Sequence, residues 1–307
     1  MCLFVVYQEL YSFKNVNCLW PDMKNTESKL KKNGNESSIV KLLQTVLLIA
    51  LLPVILYLCD FVFAKTPDFD EALALAISGL ICALSVLGVL VLLIQRNVSQ
   101  LKAVLILVLS LTADIGLNII IRKVESAHCG STWLHYYALI NLALLGIAWS
   151  GGILLSGIIK KASYLIPLVV AAGIADIWSV GWGVTSEIVQ SKTAMNYLLF
   201  SFPVAGKEIL PLIGVTDFVF ATLFLSLARR FDMPLITTQI LLAAAFILSI
   251  TVAVRCGIGI PVLPVMGVLF IIGNYKHVKI TDPKERKDAV LGIIIIATAL
   301  AVVTLIK

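Results

Sequence analysis

Charge is what this sequence has least of. Only 14% of its 307 residues are Asp, Glu, Lys or Arg, while 60% are hydrophobic and the mean hydropathy is +1.00. A water-soluble surface needs far more charge than this, so the composition excludes an ordinary soluble domain. Histidine is nearly absent: His128, His135 and His277 lie in or near predicted loops and form no metal motif. The six cysteines are scattered without a C-x-x-C pair. They read as small buried hydrophobes, and no histidine has a claim to partner one as a nucleophile. There is no low-complexity tract and no internal repeat.

What is present is a series of long apolar runs. A run of about 18 or more apolar residues is long enough to cross a bilayer. Nine candidate spans follow, over residues 42–64, 72–95, 101–121, 134–159, 163–184, 208–228, 235–254, 258–274 and 289–306. The expected fold class is therefore all-α, a polytopic membrane helix bundle. Residues 1–40 read as a polar, basic tail and 41–307 as one transmembrane domain. No cleavable leader is expected, because the first strong apolar run begins too late. Between the fifth and sixth spans, Tyr197-Leu-Leu-Phe-Ser-Phe202 is apolar but too short to span. An interfacial helix, a re-entrant piece and a short strand all fit it.

Orientation is read from the basic residues. With the N-terminus in the cytoplasm, 17 of the 24 Lys and Arg residues fall on the cytoplasmic side. The same distribution accounts for the formal net charge of +6 without a nucleic-acid partner, since the basic residues occupy short loops and not one contiguous patch.

The informative residues are the acids inside spans. Each costs about 2.5–3.5 kcal/mol on insertion scales, so it is retained for a partner or a function. Asp114, Asp176 and Asp217 are such acids. Asp176 has Ala172 and Gly173 on its helical face, and Gly214 and Ala221 flank Asp217 in the next span. Small faces let helices approach closely, and consecutive antiparallel spans can bring two midpoints to one depth. Paired carboxylates share a proton. The ionised member then takes a proton from water while the protonated member donates to a peptide carbonyl. In the eighth span, Pro261-Val-Leu-Pro264 is expected to be unwound, because each proline removes a backbone donor. An unwound backbone can receive an extended chain. The plainer reading of the same prolines is an ordinary helix start.

The order of these motifs resembles the presenilin and signal peptide peptidase superfamily, the GxGD-type intramembrane aspartyl proteases. The matching stretches are Ala175-Asp176, Gly214-Val-Thr-Asp217 and Pro261-Val-Leu-Pro264, across roughly residues 165–275. The family has Tyr-Asp, Gly-x-Gly-Asp and Pro-Ala-Leu, so this chain departs from it at Ala175, Thr216 and Val262. The resemblance implies that Asp176 and Asp217 are catalytic. It implies that Gly214, Thr216, Pro261, Val262, Leu263 and Pro264 shape the site and receive substrate, within a core at about 163–275. It also implies a transmembrane protein or signal peptide as substrate, no metal or organic cofactor, and a prokaryotic plasma membrane as the location.

Two other readings stay open on the residues alone. A proton- or cation-coupled transporter would use Asp114, Asp176 and Asp217 as a relay. A non-catalytic relative would bind membrane helices without cutting them, with Thr216 as the mark of a changed site. Asp114, with Asn118 one turn on, is expected to pair within the bundle or with Arg122.

Overall fold

The computed structural model describes residues 46–47, 49–63, 70–96, 98–125, 133–182, 192–205, 209–256 and 261–279, plus helical positions 287, 290, 291, 294 and 298. The chain divides after Val46, and everything below concerns the unit Leu47–Lys307. The tail at 1–40, residues 257–260 and nearly all of the ninth predicted span lie outside the described residues.

The fold is mostly helical. In chain order it has α1 (Ile49–Phe63), α2 (Glu71–Leu93), α3 (Gln100–Glu125), α4 (Trp133–Ile158) and α5 (Leu165–Trp182). There follow a short α6 (Lys192–Leu198), β1 (Leu199–Pro203), β2 (Ile209–Gly214), α7 (Val215–Arg230), α8 (Leu235–Cys256), α9 (Val262–Gly273) and α10 (Tyr275–Val278). Five segments are long and apolar enough to cross a membrane: Glu71–Leu93, Gln100–Ile121, Leu134–Ile158, Ala162–Ser179 and Leu235–Cys256.

Local chemistry sets the ends. Asp70 caps α2 by accepting the Leu73 N–H at 3.3 Å, and Ser99 caps α3 by accepting the Lys102 N–H at 3.4 Å. After α7, Asp232 takes a left-handed φ of 52°. The Met233 N–H then bonds back to the Ala228 carbonyl at 2.8 Å, which closes the helix end and turns the chain into α8.

The surface is apolar as well as the interior, unlike that of a water-soluble protein. On α3, Leu101, Val104, Leu105, Val108 and Leu109 are exposed, while Asp114 and Asn118 are only 4% and 3% exposed. Asn118 Nδ2 donates to the Asp114 carbonyl at 3.0 Å and to its Oδ1 at 3.1 Å. Asp114 therefore pairs one turn along its own helix. Apolar residues outward around a satisfied polar pair are what a lipid solvent selects, and with five helices long and apolar enough to span they are compatible with an integral membrane protein.

The central helix is α7. Val215, Phe218, Ala221, Thr222, Leu223, Phe224, Leu225, Leu227 and Ala228 bury most of its circumference. Phe218 stands edge-on to Phe200 of β1 at 4.9 Å and stacks on Phe246 of α8 at 5.1 Å. Phe224 stacks on Phe270 of α9 at 4.6 Å. On another side α4 runs parallel to α7 at very close range. A Cβ on Gly152 would lie 2.7 Å from the Val219 carbonyl oxygen. The bundle is thus built around one short helix that a strand pair feeds.

That strand pair is antiparallel, with Leu199 opposite Gly214 and Pro203 opposite Ile209, and an irregularity between Phe200 and Ser201. Asn141 of α4 grips it from the side. Its Nδ2 donates to the Ser201 carbonyl at 2.7 Å, and its Oδ1 accepts the Ser201 N–H at 3.0 Å. Ser201 therefore points both backbone groups away from β2. Its partner Pro211, which has no N–H, occupies a position where the ladder needs none.

Candidate active site

Asp217 and Asp176 reach one region from different elements. β2 leads directly into α7: Gly214 is the N-cap, with φ −65° and ψ 140°, and Asp217 lies in the first turn. The Gly214 backbone donates a hydrogen bond to the Asp217 carboxylate, the back-reaching half of a capping box. Asp176 is the twelfth of 18 residues in α5. Its Oδ2 accepts the Leu263 N–H at 3.2 Å. Leu263 is the second residue of α9, Pro261 gives that helix no side-chain cap, and Pro264 has no N–H at all. Asp176 therefore satisfies a first-turn donor of a distant helix.

Both carboxylates consequently sit at helix N-termini, where the partial positive charge favours an anion. α8 runs back between α7 and α9, so those two helices are parallel and their N-termini lie at the same end. The two carboxylates are near enough for their charges to interact. Asp176, Gly214, Asp217, Pro261, Val262 and Pro264 are half-buried, Leu263 is buried and Thr216 is exposed. The site is a partly open notch, not a sealed core.

Several expectations are corrected. Asp217 is not at the middle of a spanning helix. Within the predicted sixth span, 208–228, Ile209–Gly214 is strand and helix begins only at Val215, so Gly214 ends a strand while Ala221 is fully buried inside the bundle. The small face of α5 does not receive α7. It receives α9: a Cβ on Gly173 would lie 3.6 Å from Pro264 Cα, and Gly267 lies against Val169. These contacts step in opposite directions, so α5 and α9 are antiparallel. The Pro segment is not unwound within the described residues. Pro261 is extended, with φ −62° and ψ 128°, and the helix starts at Val262. Proline fits a first turn because the missing donor has no intrahelical acceptor there.

The structure brings Asp176, Asp217, Gly214, Leu263 and Pro264 around one spot, while Thr216 faces outward. Sequence reading missed Asn141, which is fully buried and fixes β1 beside the strand that carries Asp217. The available signal was an amide within a 26-residue apolar helix. Among the described residues, no three His, Cys, Asp or Glu side chains come together as a metal site.

Each carboxylate, taken singly, has a structural account as a helix cap. That account does not explain why the two lie within reach of each other's charge. Like charges at short range oppose each other's ionisation, and a fold needing only caps has neutral Asn, Ser and Thr available. Paired, they offer one group to accept a proton and one to donate it. No family model, no curated protein and no solved structure matches this chain.

Proposed function

We propose that this chain is an intramembrane aspartyl protease, a divergent presenilin-like or signal peptide peptidase-like enzyme, with Asp176 and Asp217 as its catalytic pair. One observation carries the reading: two carboxylates from separate helices occupy adjoining helix N-termini, beside a strand that runs into one of them. The ionised carboxylate takes a proton from water, and the resulting hydroxide attacks a peptide carbonyl carbon. The protonated carboxylate gives its proton to the carbonyl oxygen. Collapse of the tetrahedral diol breaks the C–N bond, and the amine leaves with a proton returned from the pair. No metal or organic cofactor takes part.

Gly214 and the α9 start, Pro261, Val262, Leu263 and Pro264, line the substrate path, and Thr216 stands at its outer margin. The reading keeps the nine expected spans; among the described residues, five long segments and the shorter apolar helices α1 and α9 are compatible with it, and the span expected at 289–306 falls almost wholly outside them. The tail at 1–40 lies in the cytoplasm of a prokaryotic cell, the transmembrane domain is 41–307, and the catalytic core is about 163–275. The N-in orientation favours substrates whose own N-terminus is cytoplasmic, such as remnant signal peptides.

The test is a cleavage assay on purified protein with transmembrane and signal-peptide substrates. Wild type is expected to cut, and Asp176→Asn and Asp217→Asn are each expected to abolish cutting. A single aspartate variant that retains wild-type turnover overturns the pairing. Wild-type inactivity together with aspartate-dependent solute uptake favours a transporter.

A further inference from the structure

Gly214 is a glycine without a backbone reason. It caps α7 at φ −65° and ψ 140°, a conformation open to any residue. What the missing side chain leaves is room, and that room has defined walls. The point where a Cβ would stand lies 3.4 Å from Asp217 Oδ2, 3.3 Å from Thr216 Oγ1 and 3.8 Å from Leu199 Cδ2. Leu199 reaches it from the opposite strand, where it pairs with Gly214 in the ladder. Thr216 is exposed as a residue, yet its hydroxyl borders this spot beside the carboxylate. Gly214 is itself only half-buried, so solvent reaches it.

The plain reading is ordinary first-turn geometry. Thr216 is the second residue of α7, so its side chain falls near the N-cap. That accounts for the position of the hydroxyl. It does not account for a carboxylate oxygen and a hydroxyl oxygen standing at nearly the same distance from one point, with a leucine methyl as the third wall. A water needs about one probe sphere of room and at least two polar partners. A shift of about half an ångström toward the two oxygens brings it to ordinary O–H···O distance. A substrate methyl in the same place would set carbon against two oxygens and leave both unmet.

We propose that Thr216 holds the hydrolytic water over Gly214, against the Asp217 carboxylate, an assignment that rests on the reading of Asp217 as half of a catalytic pair. A water that donates to Thr216 Oγ1 and hydrogen-bonds Asp217 Oδ2 keeps a lone pair free for the peptide carbonyl carbon. As its oxygen bonds that carbon, one of its protons passes to the carboxylate pair. The proton the pair already holds goes to the carbonyl oxygen. Thr216 keeps its own proton throughout and fixes the direction of attack. Leu199 bounds the same water on the strand side.

The experiment pairs crystal structures of the full chain, grown in a lipidic mesophase, with cleavage kinetics. In wild type an ordered water is expected over Gly214, within hydrogen-bond distance of Thr216 Oγ1 and Asp217 Oδ2. Thr216→Val keeps the side-chain shape and removes the hydroxyl. It is expected to lose that water and to lower kcat roughly tenfold with KM unchanged, the upper end of what one hydrogen bond contributes. Thr216→Ser is expected to restore the water and most of the lost kcat. Gly214→Ala puts a carbon in the same place and is expected to displace the water as well. No ordered water in wild type, a water that persists in Thr216→Val, or a loss confined to KM overturns the assignment. Wild type that cuts nothing but holds a Thr216-dependent water overturns the protease reading and upholds the water site.

Discussion

Removing the side-chain amide of Asn141 is expected to free β1 and, through it, to loosen the seat of Asp217. In Asn141→Ala two bonds disappear, at 2.7 and 3.0 Å, and both partners belong to Ser201. Asn141 is 0% exposed and Ser201 is 1% exposed, so water does not readily replace the lost partner. The ladder cannot absorb the freed groups, because both point away from β2 toward Asn141. Each stranded backbone group costs about 1–3 kcal/mol, so the pair costs about 2–6 kcal/mol. At the low end the opening equilibrium of β1 shifts about 30-fold, since 1.4 kcal/mol is a factor of ten. The assay is hydrogen–deuterium exchange in detergent, comparing peptides over 199–205 with peptides in α2 and α8. Faster exchange is expected in the strand pair and little change in the remote helices, with cleavage falling alongside. Asn141→Asp keeps an acceptor for the Ser201 N–H but sets an anion against its carbonyl, so exchange at least as fast as in Asn141→Ala is expected. Exchange in 199–205 that stays at the wild-type rate in Asn141→Ala, in folded protein, refutes the clamp.

Asp176→Asn retains an acceptor for the Leu263 N–H and is expected to unfold within about 1 kcal/mol of wild type. Asp176→Leu strands that donor and should lose about 1–3 kcal/mol; both should fail to cleave, and denaturant unfolding beside turnover separates the two effects. Gly152→Ala puts a Cβ 2.5 Å from Thr222 Cβ and 2.7 Å from the Val219 carbonyl oxygen. Overpacking of about 1–3 kcal/mol should lower its melting temperature. Gly88→Ala, with nothing within 4 Å of the new carbon, should match or exceed wild type in the same scan, because alanine is the better helix former by about 1 kcal/mol. Gly214→Ala places its Cβ 3.3 Å from Thr216 Oγ1 and 3.4 Å from Asp217 Oδ2, in a backbone conformation alanine accepts. Its melting temperature should stay near wild type while turnover falls about tenfold, a 1.4 kcal/mol rise in barrier.

Apolar run length carried most of the helices. Residues 72–95, 134–159 and 235–254 were expected, and Glu71–Leu93, Trp133–Ile158 and Leu235–Cys256 are found, because a bilayer fixes the length an apolar helix needs. The same measure failed at 208–228. Hydropathy is blind to the difference between a buried strand and a buried helix, and Ile209-Leu-Pro-Leu-Ile-Gly214 is apolar either way. Pro211 and Gly214 were the legible warning. The carboxylates were found from their cost in an apolar run. Their surroundings were not, because a run says nothing about which helix faces which. Gly173 was read as a close-approach residue for the next span; it faces Pro264 of α9 instead, at ordinary contact distance. The Leu263-to-Asp176 bond joins residues 87 positions apart, and no local pattern announces a cap supplied from such a distance.

The brevity of α7 has a consequence for the lipid around it. Sixteen residues rise about 24 Å at 1.5 Å each, against a hydrocarbon thickness of about 30 Å. On the proposed reading of α7 as a span, the deficit of about 6 Å lies at the Asp217 end, where the strand pair precedes the helix. Strand backbone at membrane depth has to be met by protein, as Asn141 meets Ser201 here. Lipids with longer tails, which widen the deficit, are expected to slow any chemistry at Asp217, and shorter tails to relieve it.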